Sequence, residues 1–252
     1  MSKSDKCTLG LRIYTQVNRP SKEDLAMLAG AGVGDISDAM RGLGTVDSGI
    51  AAVYSPMGRI FGTAVTVDLS PGDGLLLRAA IDSAKPGDII VANAHGVTAR
   101  AILGGVVGMH MVHHGVKGLV VDGAVRDIQE FRALGLPVMA RAVTPRSGTS
   151  SSGWGEVNVP IACGGAVVNP GDVMIGDDEG LVVVPRRWVA AVARGLSDTG
   201  HPSYAPDSIR DQLQKLRPGE PVLGMDRVHK AVAERSGVII DGTHESDGGP
   251  PR

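Results

Sequence analysis

Between residues 61 and 142, short apolar segments alternate with segments of helical periodicity. Four segments have the alternating or continuously apolar composition of strands, and they span residues 61–69, 88–92, 119–122 and 136–142. Three helical patterns separate them, over residues 74–84, 106–114 and 127–134. Strands that alternate with helices are typical of a parallel sheet with crossover helices, so this region predicts an α/β domain.

The segments on either side predict further elements of both types. Ser21 is a candidate helix N-cap with Asp24 three residues later, and helices are expected over residues 21–31 and 33–41. A stretch rich in Ser, Gly and Thr, residues 145–155, predicts a long loop of the kind that is often functional. Short strands and a final helix are expected after it, near residue 157 and over residues 165–168, 173–175, 181–184 and 187–196.

The end of the chain has a different composition. It is polar and Pro-rich, and only residues 207–216 and 225–234 have helical patterns. Polar segments with few apolar residues do not bury enough surface to fold. We therefore expect one domain over residues 1–197, with a loose tail at residues 1–10, and a partly helical, partly disordered extension over residues 198–252.

The composition excludes several classes of protein. The 25 basic and 27 acidic residues give a net charge of -2, which provides no basic face for nucleic acid or an anionic membrane. Aromatic residues make up 3% of the chain, too few for base-stacking platforms. No segment approaches the ~18 apolar residues that span a bilayer. Because only Cys7 and Cys163 are present and no apolar secretion signal is found, we expect a cytoplasmic protein.

Two recurring patterns have both structural and functional interpretations. Pro followed by Gly favours a type II turn, and the tripeptide Pro-Gly-Asp occurs three times, at residues 71–73, 86–88 and 170–172. An aspartate-based metal site is the alternative, and it requires the three turns to converge. His110 shares a helix face with His113 or His114, which suits a transition metal. Histidine near a helix C-terminus is also favourable on dipole grounds alone.

The strongest local signal is the segment Asp122-Gly123-Ala124-Val125-Arg126-Asp127, which begins at the carboxyl end of an apolar strand and opens the next helix. Open α/β sheets bind ligands at this edge. Arg126 presents a planar fork that binds a carboxylate through two hydrogen bonds. Asp127 beside it is a candidate ligand for a divalent metal. The alternative is an ordinary helix start, with Arg126 on the surface.

A second turn lies one helix and one strand earlier. Gly104-Gly105-Val106-Val107 precedes a helix whose free N–H groups and positive dipole end favour an anion. Because consecutive parallel strands end at the same edge of a sheet, we expect this turn and Arg126 to lie near each other. A Gly pair is also common in ordinary turns. Together, the two turns predict an anion site, an arginine fork and a metal-binding carboxylate at one edge.

At these residues the chain resembles the ribonuclease-regulator-A-like (RraA-like) family, which includes the class II 4-hydroxy-4-methyl-2-oxoglutarate aldolases. The resemblance extends from about Asp35 to Trp188 and depends on the order and spacing of several motifs. The motifs are Asp-Ile-Ser-Asp-Ala at residues 35–39, Gly104-Gly105, Gly-Leu-Val-Val-Asp-Gly-Ala-Val-Arg-Asp at residues 118–127, Val-Asn-Pro-Gly-Asp at residues 168–172 and Asp-Asp-Glu-Gly-Leu-Val-Val-Val-Pro at residues 177–185.

The resemblance implies a compact α/β/β sandwich-like domain with a β-rich core, assembled as trimers or hexamers with sites at subunit boundaries. In the metal-dependent members, the arginine that matches Arg126 binds the pyruvyl group, and the aspartate that matches Asp127 ligates Mg²⁺ or Mn²⁺. The turn that matches residues 104–107 contributes backbone contacts to the substrate. The ribonuclease-regulating branch does not keep the Arg-Asp pair intact, so its presence here favours an enzyme.

Two departures from the family pattern concern proton transfer and the subunit boundary. Some aldolases carry an acidic residue that assists proton transfer at the position of Gly105. The chain beyond about Asp198 does not match the family clearly. The glutamate that a neighbouring subunit donates in characterised aldolases therefore has no assigned counterpart in this sequence.

The chemistry of a 2-oxo acid lyase sets the requirements for the site. Cleavage of a C–C bond beside a 2-oxo acid produces a pyruvate enolate, whose negative charge must be stabilised. A Schiff-base lysine needs a desolvated site, whereas Lys85 and Lys117 lie beside turns. The other route is a Lewis-acid metal, with Mg²⁺ or Mn²⁺ favoured by a carboxylate ligand. We therefore predict a class II aldolase that also decarboxylates oxaloacetate, because loss of CO₂ gives the same enolate.

Two other functions are compatible with the sequence. A metal-free regulator that binds a ribonuclease belongs to the same family, although Arg126 and Asp127 argue against it. A related metal-enolate enzyme with another 2-oxo acid substrate would keep the same pair. Gly105 and the unmatched extension leave that alternative open.

Overall fold

The computed structural model describes three ranges of the chain: residues 10–151, 154–198 and 225–235. The chain divides into two compact units, Met1–Tyr204 and Ala205–Arg252. The elements of the first unit are, in chain order, β1 (Leu11–Ile13), α1 (Lys22–Leu28), α2 (Val33–Ala39), β2 (Ala51–Ala52), β3 (Ile60–Leu69), α3 (Leu77–Ser83), β4 (Ile89–Asn93), α4 (Gly105–His113), β5 (Gly118–Val125), α5 (Ile128–Leu134), β6 (Val138–Val143), β7 (Gly155–Val157), β8 (Ile161–Cys163), β9 (Ala166–Val168), β10 (Val173–Asp177), β11 (Gly180–Val184) and α6 (Val189–Asp198).

In the second unit, the described residues form one helix, α7 (Met225–Glu234). Its bounds coincide with the helical pattern at residues 225–234, so this prediction is confirmed. The other helix predicted in the extension, residues 207–216, lies outside the described residues, as do the first nine residues of the expected tail. No helix in the described ranges is long and apolar enough to cross a membrane.

The main sheet branches at its longest strand, β3. Its path runs in the order β1-β7-β3-β4-β5-β6-β2, and the strands from β3 to β6 are parallel. The last residues of β3 pair with β7, whereas its first residues, from Ile60 to Thr63, pair antiparallel with β10 of the β10–β11 hairpin. A separate two-stranded sheet is formed by β8 and β9. The long β3 therefore joins the parallel sheet to the hairpin.

The central parallel strands are buried along their whole length. Every residue of β4 and β5 is buried, as expected for parallel strands covered on both faces. The helices α3, α4 and α5 connect successive parallel strands, and right-handed crossovers place them on one face of the sheet. A Cβ on Gly108 of α4 would lie 2.7 Å from the ring of Phe131 on α5. The two helices that carry the predicted site are therefore packed closely together.

A second apolar cluster covers the β10–β11 hairpin. Side chains of α1, α2 and α6 pack there against one face of the hairpin, and the buried members are Leu28, Val33, Ile36, Val173, Ile175, Val182, Val184, Val189 and Val192. The parallel sheet, the hairpin and the helices on both sides form a mixed α/β fold with a β-rich core. The predicted fold class is confirmed.

The ends of the elements follow local hydrogen bonds. Ser21 caps α1 as predicted, because its hydroxyl accepts a hydrogen bond from the Asp24 N–H at 3.0 Å. The helix predicted over residues 74–84 is shorter, and α3 begins at Leu77. The reason is that Asp73 accepts a hydrogen bond from the Leu75 N–H at 2.8 Å and holds the preceding residues in a turn. The strand β1 has no counterpart among the predicted elements, because its partner β7 lies far away in the sequence.

The three Pro-Gly-Asp tripeptides form turns, as their first interpretation predicts. Each glycine has the positive φ that position i+2 of a type II turn requires, namely 74° at Gly72, 100° at Gly87 and 94° at Gly171. Each aspartate is buried and accepts backbone N–H bonds, and the three are Asp73, Asp88 and Asp172. Among the described residues, no group of three or more His, Cys, Asp or Glu could hold a metal ion. These aspartates therefore stabilise the backbone of the turns.

Candidate active site

The extended segment after β4 brings the two predicted turns together. Ala101 forms an isolated parallel bridge with Ala124 of β5, and the Ile102 N–H donates to the Ala124 carbonyl at 3.0 Å. Two residues later, the Arg126 N–H donates to the Leu103 carbonyl at 3.1 Å. Residues 101–103 therefore run alongside the end of β5 and the residue that follows it. Because α4 begins two residues after Leu103, its start lies close to Arg126.

Asp127 has an unusual backbone conformation and an unusual hydrogen bond. Its φ of 60° and ψ of 46° are left-handed, although it is not a glycine. It occupies the N-cap position of α5, yet its side chain makes no capping bond to that helix. Instead, Oδ2 accepts a hydrogen bond from the Gly105 N–H at 3.0 Å. The carboxylate of one helix start therefore faces the N-terminus of the neighbouring helix α4.

The two glycines before α4 allow this close approach. A Cβ on Gly104 would overlap the Asp127 carboxylate. A Cβ on Gly105 would lie 2.6 Å from the Cβ of Glu130, which stands in the first turn of α5. Real Cβ atoms are not found so close to other atoms, so a side chain at either position would force Asp127 or Glu130 to move.

A cavity of about 200 Å³ opens beside these residues. The Arg126 side chain is 41% exposed and that of Asp127 is 36% exposed, so both reach solvent through the cavity mouth. Their charged groups are 3.5 Å apart, between Nε and Oδ2. The cavity is lined by Arg78, Ala101, Ile102, Leu103, Gly104, Val106, Val107, Arg126, Asp127 and residues 147–150.

The structure therefore brings together the residues that the sequence singles out. Gly104, Val106, Val107, Arg126 and Asp127 line the same cavity. The remaining predicted residue, Gly105, is not part of the lining, and its N–H is directed to Asp127 instead. Its part in substrate contact stays a prediction.

Part of the Ser/Gly/Thr-rich loop forms one wall of the cavity. The Gly148 N–H donates to the Ala101 carbonyl and the Thr149 N–H donates to the Gly72 carbonyl, both at 2.8 Å. The Thr149 hydroxyl donates to Asp73 Oδ2 at 2.7 Å. These bonds hold residues 147–150 in place. The Ser-, Gly- and Thr-rich composition of this loop predicts a functional role. It does not predict which of its residues line the cavity.

Two further residues have no signal in the local sequence. Arg78 on α3 lines the cavity together with the predicted residues of α4 and α5. The Cβ and Cγ of Glu130 lie within 3 Å of the point where a Cβ on Gly105 would be. In the sequence, Arg78 is one polar residue of a helical pattern, and Glu130 is an acidic residue in the first turn of a helix. Neither residue type is unusual at its position, so only the packing of α3, α4 and α5 shows that both lie near the candidate site.

The chemistry of Asp127 fits a divalent cation with oxygen ligands. Its Oδ2 accepts the Gly105 N–H, and its Oδ1 makes no hydrogen bond to any described residue. Mg²⁺ is commonly held by one or two carboxylates together with waters and substrate oxygens. The carboxylate can lie against the start of α4 because the residue there is Gly104, whose Cβ would overlap Oδ2. A single carboxylate at an open cavity therefore suits Mg²⁺ or Mn²⁺ bound jointly with a ligand.

Other reactive groups lie in less suitable surroundings. Lys85 and Lys117 are exposed, so neither has the desolvated environment of a Schiff-base lysine. Burial and the nearby Asp122 raise the pKa of the Cys163 thiol to about 12, which keeps it protonated and unreactive. His110 and His113 are exposed on α4 and belong to no group of three potential metal ligands in the described residues.

The fold places this molecule among the α/β proteins that have a cavity at the carboxyl edge of a parallel sheet, here between two helix starts. Within that class, residues 33–183 match the family described as Aldolase/RraA, and the chain belongs to this RraA-like family. The expected family is confirmed.

Relatives of this chain include proteins named as aldolases. A protein of Halalkalibacterium halodurans, provisionally named a 4-hydroxy-4-methyl-2-oxoglutarate aldolase, is 41% identical over 152 residues, which are 60% of this chain and 71% of the relative. A Thermus thermophilus protein named 4-hydroxy-4-methyl-2-oxoglutarate aldolase is 34% identical over 113 residues, which are 45% of this chain and 68% of the relative.

Similar solved structures bear the names of regulators. Streptomyces coelicolor RraAS2, described as an unusual member of the RNase ES inhibitor RraA protein family, superimposes with a TM-score of 0.65 and 26% identity, over 79% of this chain and 100% of that one. The RNA-processing inhibitor RraA from Thermus thermophilus gives a TM-score of 0.55 and 28% identity, over 62% and 93% of the two chains. The family therefore includes proteins with both kinds of name.

Proposed function

We propose that this protein is a divalent-metal-dependent lyase that cleaves a C–C bond of a short 2-oxo acid through a pyruvate enolate. The proposed activity is that of a 4-hydroxy-4-methyl-2-oxoglutarate aldolase with oxaloacetate decarboxylase activity. One observation carries the proposal: Arg126 and the left-handed Asp127 line one cavity with the glycine-rich start of α4. The aldolase names of two relatives support it.

Each residue of the site has its own task in this proposal. Arg126 would bind the carboxylate of the 2-oxo acid through its planar fork. Val106 lines the cavity at the start of α4, and its N–H, which has no acceptor among the described residues, would stabilise the negative charge that develops on the enolate oxygen. Asp127 would hold Mg²⁺ or Mn²⁺, which when bound supplies Lewis-acid stabilisation of the enolate.

Proton transfer requires a further group, and we assign it to Glu130. Some family members carry an acid at the position of Gly105, and here the side chain of Glu130 occupies the space above that glycine. Glu130 is exposed, so its carboxylate can exchange protons with solvent. Glu130 does not line the cavity, so in retro-aldol cleavage it would accept the proton of the C4 hydroxyl through a water molecule as the C3–C4 bond breaks.

The test measures pyruvate release from oxaloacetate and from 4-hydroxy-4-methyl-2-oxoglutarate, with Mg²⁺ or Mn²⁺ and with EDTA. Wild-type protein should release pyruvate well above the metal-catalysed background, and Asp127→Ala should reduce release to that background. Arg126→Ala should raise KM about 10- to 100-fold, the effect of losing one charge-assisted pair. Asp38→Ala, an exposed carboxylate on α2 outside the cavity, serves as the control. Equal rates for wild type and Asp127→Ala would place the activity elsewhere.

A second candidate function is binding and inhibition of a ribonuclease. The structural likeness to the RNA-processing inhibitor from Thermus thermophilus favours it. This function needs no occupied cavity, so Arg126 and Asp127 would be dispensable. Capture of a ribonuclease by both wild type and Asp127→Ala, without metal-stimulated turnover of either substrate, would favour the regulator. Metal-stimulated turnover of a different 2-oxo acid would favour a related enzyme. A homotrimer or hexamer in the cytoplasm remains our expectation in each case.

A further inference from the structure

Arg78 supplies a second guanidinium to the cavity that contains Arg126 and Asp127. It is the second residue of α3, and it is exposed. No hydrogen bond or ion pair joins its guanidinium to another described residue. Arg100, by contrast, donates to the Ser147 carbonyl at 3.1 Å on the loop that forms the cavity wall. Among the described residues, Arg78 is therefore a cation of the cavity lining without an ion-pair partner.

The charges of the cavity lining do not balance without a ligand. Arg78 and Arg126 contribute two positive charges, and Asp127 contributes one negative charge. If Asp127 binds a divalent cation, the site gains two more positive charges. A ligand with one carboxylate would pair with Arg126 and leave Arg78 without a partner. A ligand with two carboxylates would pair with both arginines.

The space and the chemistry of the walls agree with such a ligand. A volume of about 200 Å³ equals that of roughly six or seven water molecules. Val106 and Val107 add apolar side chains to the same lining, which suit the carbon chain of a short acid. The lining thus contains two guanidinium groups that can bind carboxylates and apolar side chains that can contact a carbon chain.

We propose that Arg78 binds the distal carboxylate and makes the site specific for dicarboxylic 2-oxo acids. This inference rests on the proposed function, because it assumes that Arg126 binds the carboxylate next to the keto group. It adds a specificity-determining residue, located on a third helix. Arginine is suited to this task because its planar fork binds a carboxylate through two hydrogen bonds, which lysine does not do.

Binding without turnover provides the first test. The probes are 2-oxoglutarate and 2-oxopentanoate, which differ in that a methyl group replaces the distal carboxylate. Titration calorimetry with Mn²⁺ present should show that wild-type protein prefers 2-oxoglutarate. Arg78→Met should weaken 2-oxoglutarate binding about 10- to 100-fold and leave 2-oxopentanoate binding unchanged. Arg78→Lys should show an intermediate loss.

Two controls separate a binding role from a general effect. Arg187→Met removes an exposed arginine outside the cavity and should change neither affinity. Oxalate, which is too short to extend from Arg126 to a second arginine, should bind wild type and Arg78→Met equally. Loss of affinity for oxalate in Arg78→Met would show a general disturbance of the site and would overturn the proposal.

Turnover provides a second test with a different signature. When 4-hydroxy-4-methyl-2-oxoglutarate is cleaved, the C3–C4 electron pair stays on C3 as the enolate, which is then protonated. C4 becomes the keto carbon of a second pyruvate, and its carboxylate keeps its charge throughout. Arg78→Met should therefore raise KM about 10- to 100-fold for this substrate with little change in kcat. The monoacid 4-hydroxy-4-methyl-2-oxopentanoate, which yields pyruvate and acetone, should be cleaved equally by both proteins.

The outcomes distinguish this inference from the proposed function. If wild type cleaves neither substrate but binds 2-oxoglutarate in an Arg78-dependent manner, the lyase proposal fails and the dicarboxylate site stands. If wild type cleaves the diacid and Arg78→Met behaves identically in both tests, the lyase proposal stands and Arg78 has no part in specificity. Equal affinity of wild type for 2-oxoglutarate and 2-oxopentanoate would also overturn the dicarboxylate site.

Discussion

Asp127 adopts a left-handed backbone conformation that costs a residue with a side chain about 1–2 kcal/mol. The conformation directs its carboxylate to the Gly105 N–H rather than to the first turn of α5. Aspartate adopts left-handed backbone angles more readily than most residues. The residue type is therefore compatible with the conformation, but it does not predict it. The neighbouring glycines carry the clearer signal, because no other residue fits beside Asp127 and Glu130.

The close approach of Glu130 to Gly105 predicts the effect of a side chain at position 105 on stability. Gly105→Ala should lower the free energy of unfolding by about 1–3 kcal/mol, because its Cβ would lie 2.6 Å from the Cβ of Glu130. In a Glu130→Gly background, the same substitution should cost much less. Urea denaturation of the four proteins measures this coupling.

Gly34→Ala is the matched control for that experiment. A Cβ at Gly34 in α2 meets no atom within 4 Å, and the backbone there is helical. Replacing glycine in a helix with alanine should therefore stabilise the protein by about 0.5–1 kcal/mol. If Gly105→Ala has the same effect in both backgrounds, Glu130 does not occupy the space above Gly105.

At the scale of secondary-structure elements, the pattern of apolar residues predicts a strand well where every residue of that strand is buried. The continuously apolar β4 and β5 are identifiable because parallel strands covered on both faces need apolar side chains throughout. The strand β1 is not identifiable in this way. It has three residues, two of which are exposed, and it exists because it pairs with β7 at the edge of the sheet. Edge strands depend on their partner more than on their own composition.

The pairing of β1 with β7 gives a prediction about pH. The Arg12 guanidinium lowers the pKa of the Glu156 carboxyl, and Arg12 Nη2 donates to Glu156 Oε2 at 2.7 Å. A lowered carboxyl pKa contributes stability that is present above the unfolded-state pKa and is lost as pH falls through the folded-state pKa. Wild type should therefore lose stability between about pH 5 and pH 3 more steeply than Glu156→Gln.

Urea midpoints measured across this pH range test the contribution of Glu156. Glu179→Gln, an exposed carboxylate in the turn between β10 and β11, is the control and should follow the wild-type curve. A Glu156→Gln curve with the wild-type slope would show that the ion pair contributes nothing to the pH dependence.

At the scale of the whole molecule, α4 has an apolar face that the described residues leave uncovered. Val106 is 70% exposed, Met109 is 51% exposed and Val112 is 38% exposed, and they follow one another at intervals of three residues. Contiguous apolar patches of this kind are uncommon on monomers. Val106 also lines the cavity, so the face begins at the candidate site. It is consistent with the subunit boundary that the family resemblance implies.

We predict that this protein assembles as a trimer or hexamer and that α4 takes part in the subunit contacts. Met109→Lys should shift the sedimentation of the assembly towards the monomer and lower pyruvate release, because a charge would be buried in the contact. Met27→Lys on α1 is the control, since Met27 is 47% exposed and lies on a different helix. A wild-type protein that sediments as a monomer at micromolar concentration would contradict the prediction.

The sequence by itself determined the α/β class, the parallel core strands, the α7 helix and the meeting of Arg126 and Asp127 with the glycine-rich turn before α4. These features depend on local composition and on the rule that parallel strands end at one edge. Only the tertiary structure decided which other residues join them. Arg78 and residues 147–150 lie far along the chain from Asp127. The bridges of Ala101 to Ala124 of β5 and to Ser147 bring the loop to the cavity, and the packing of α3 brings Arg78. Such contacts are set by packing, which short-range patterns do not encode.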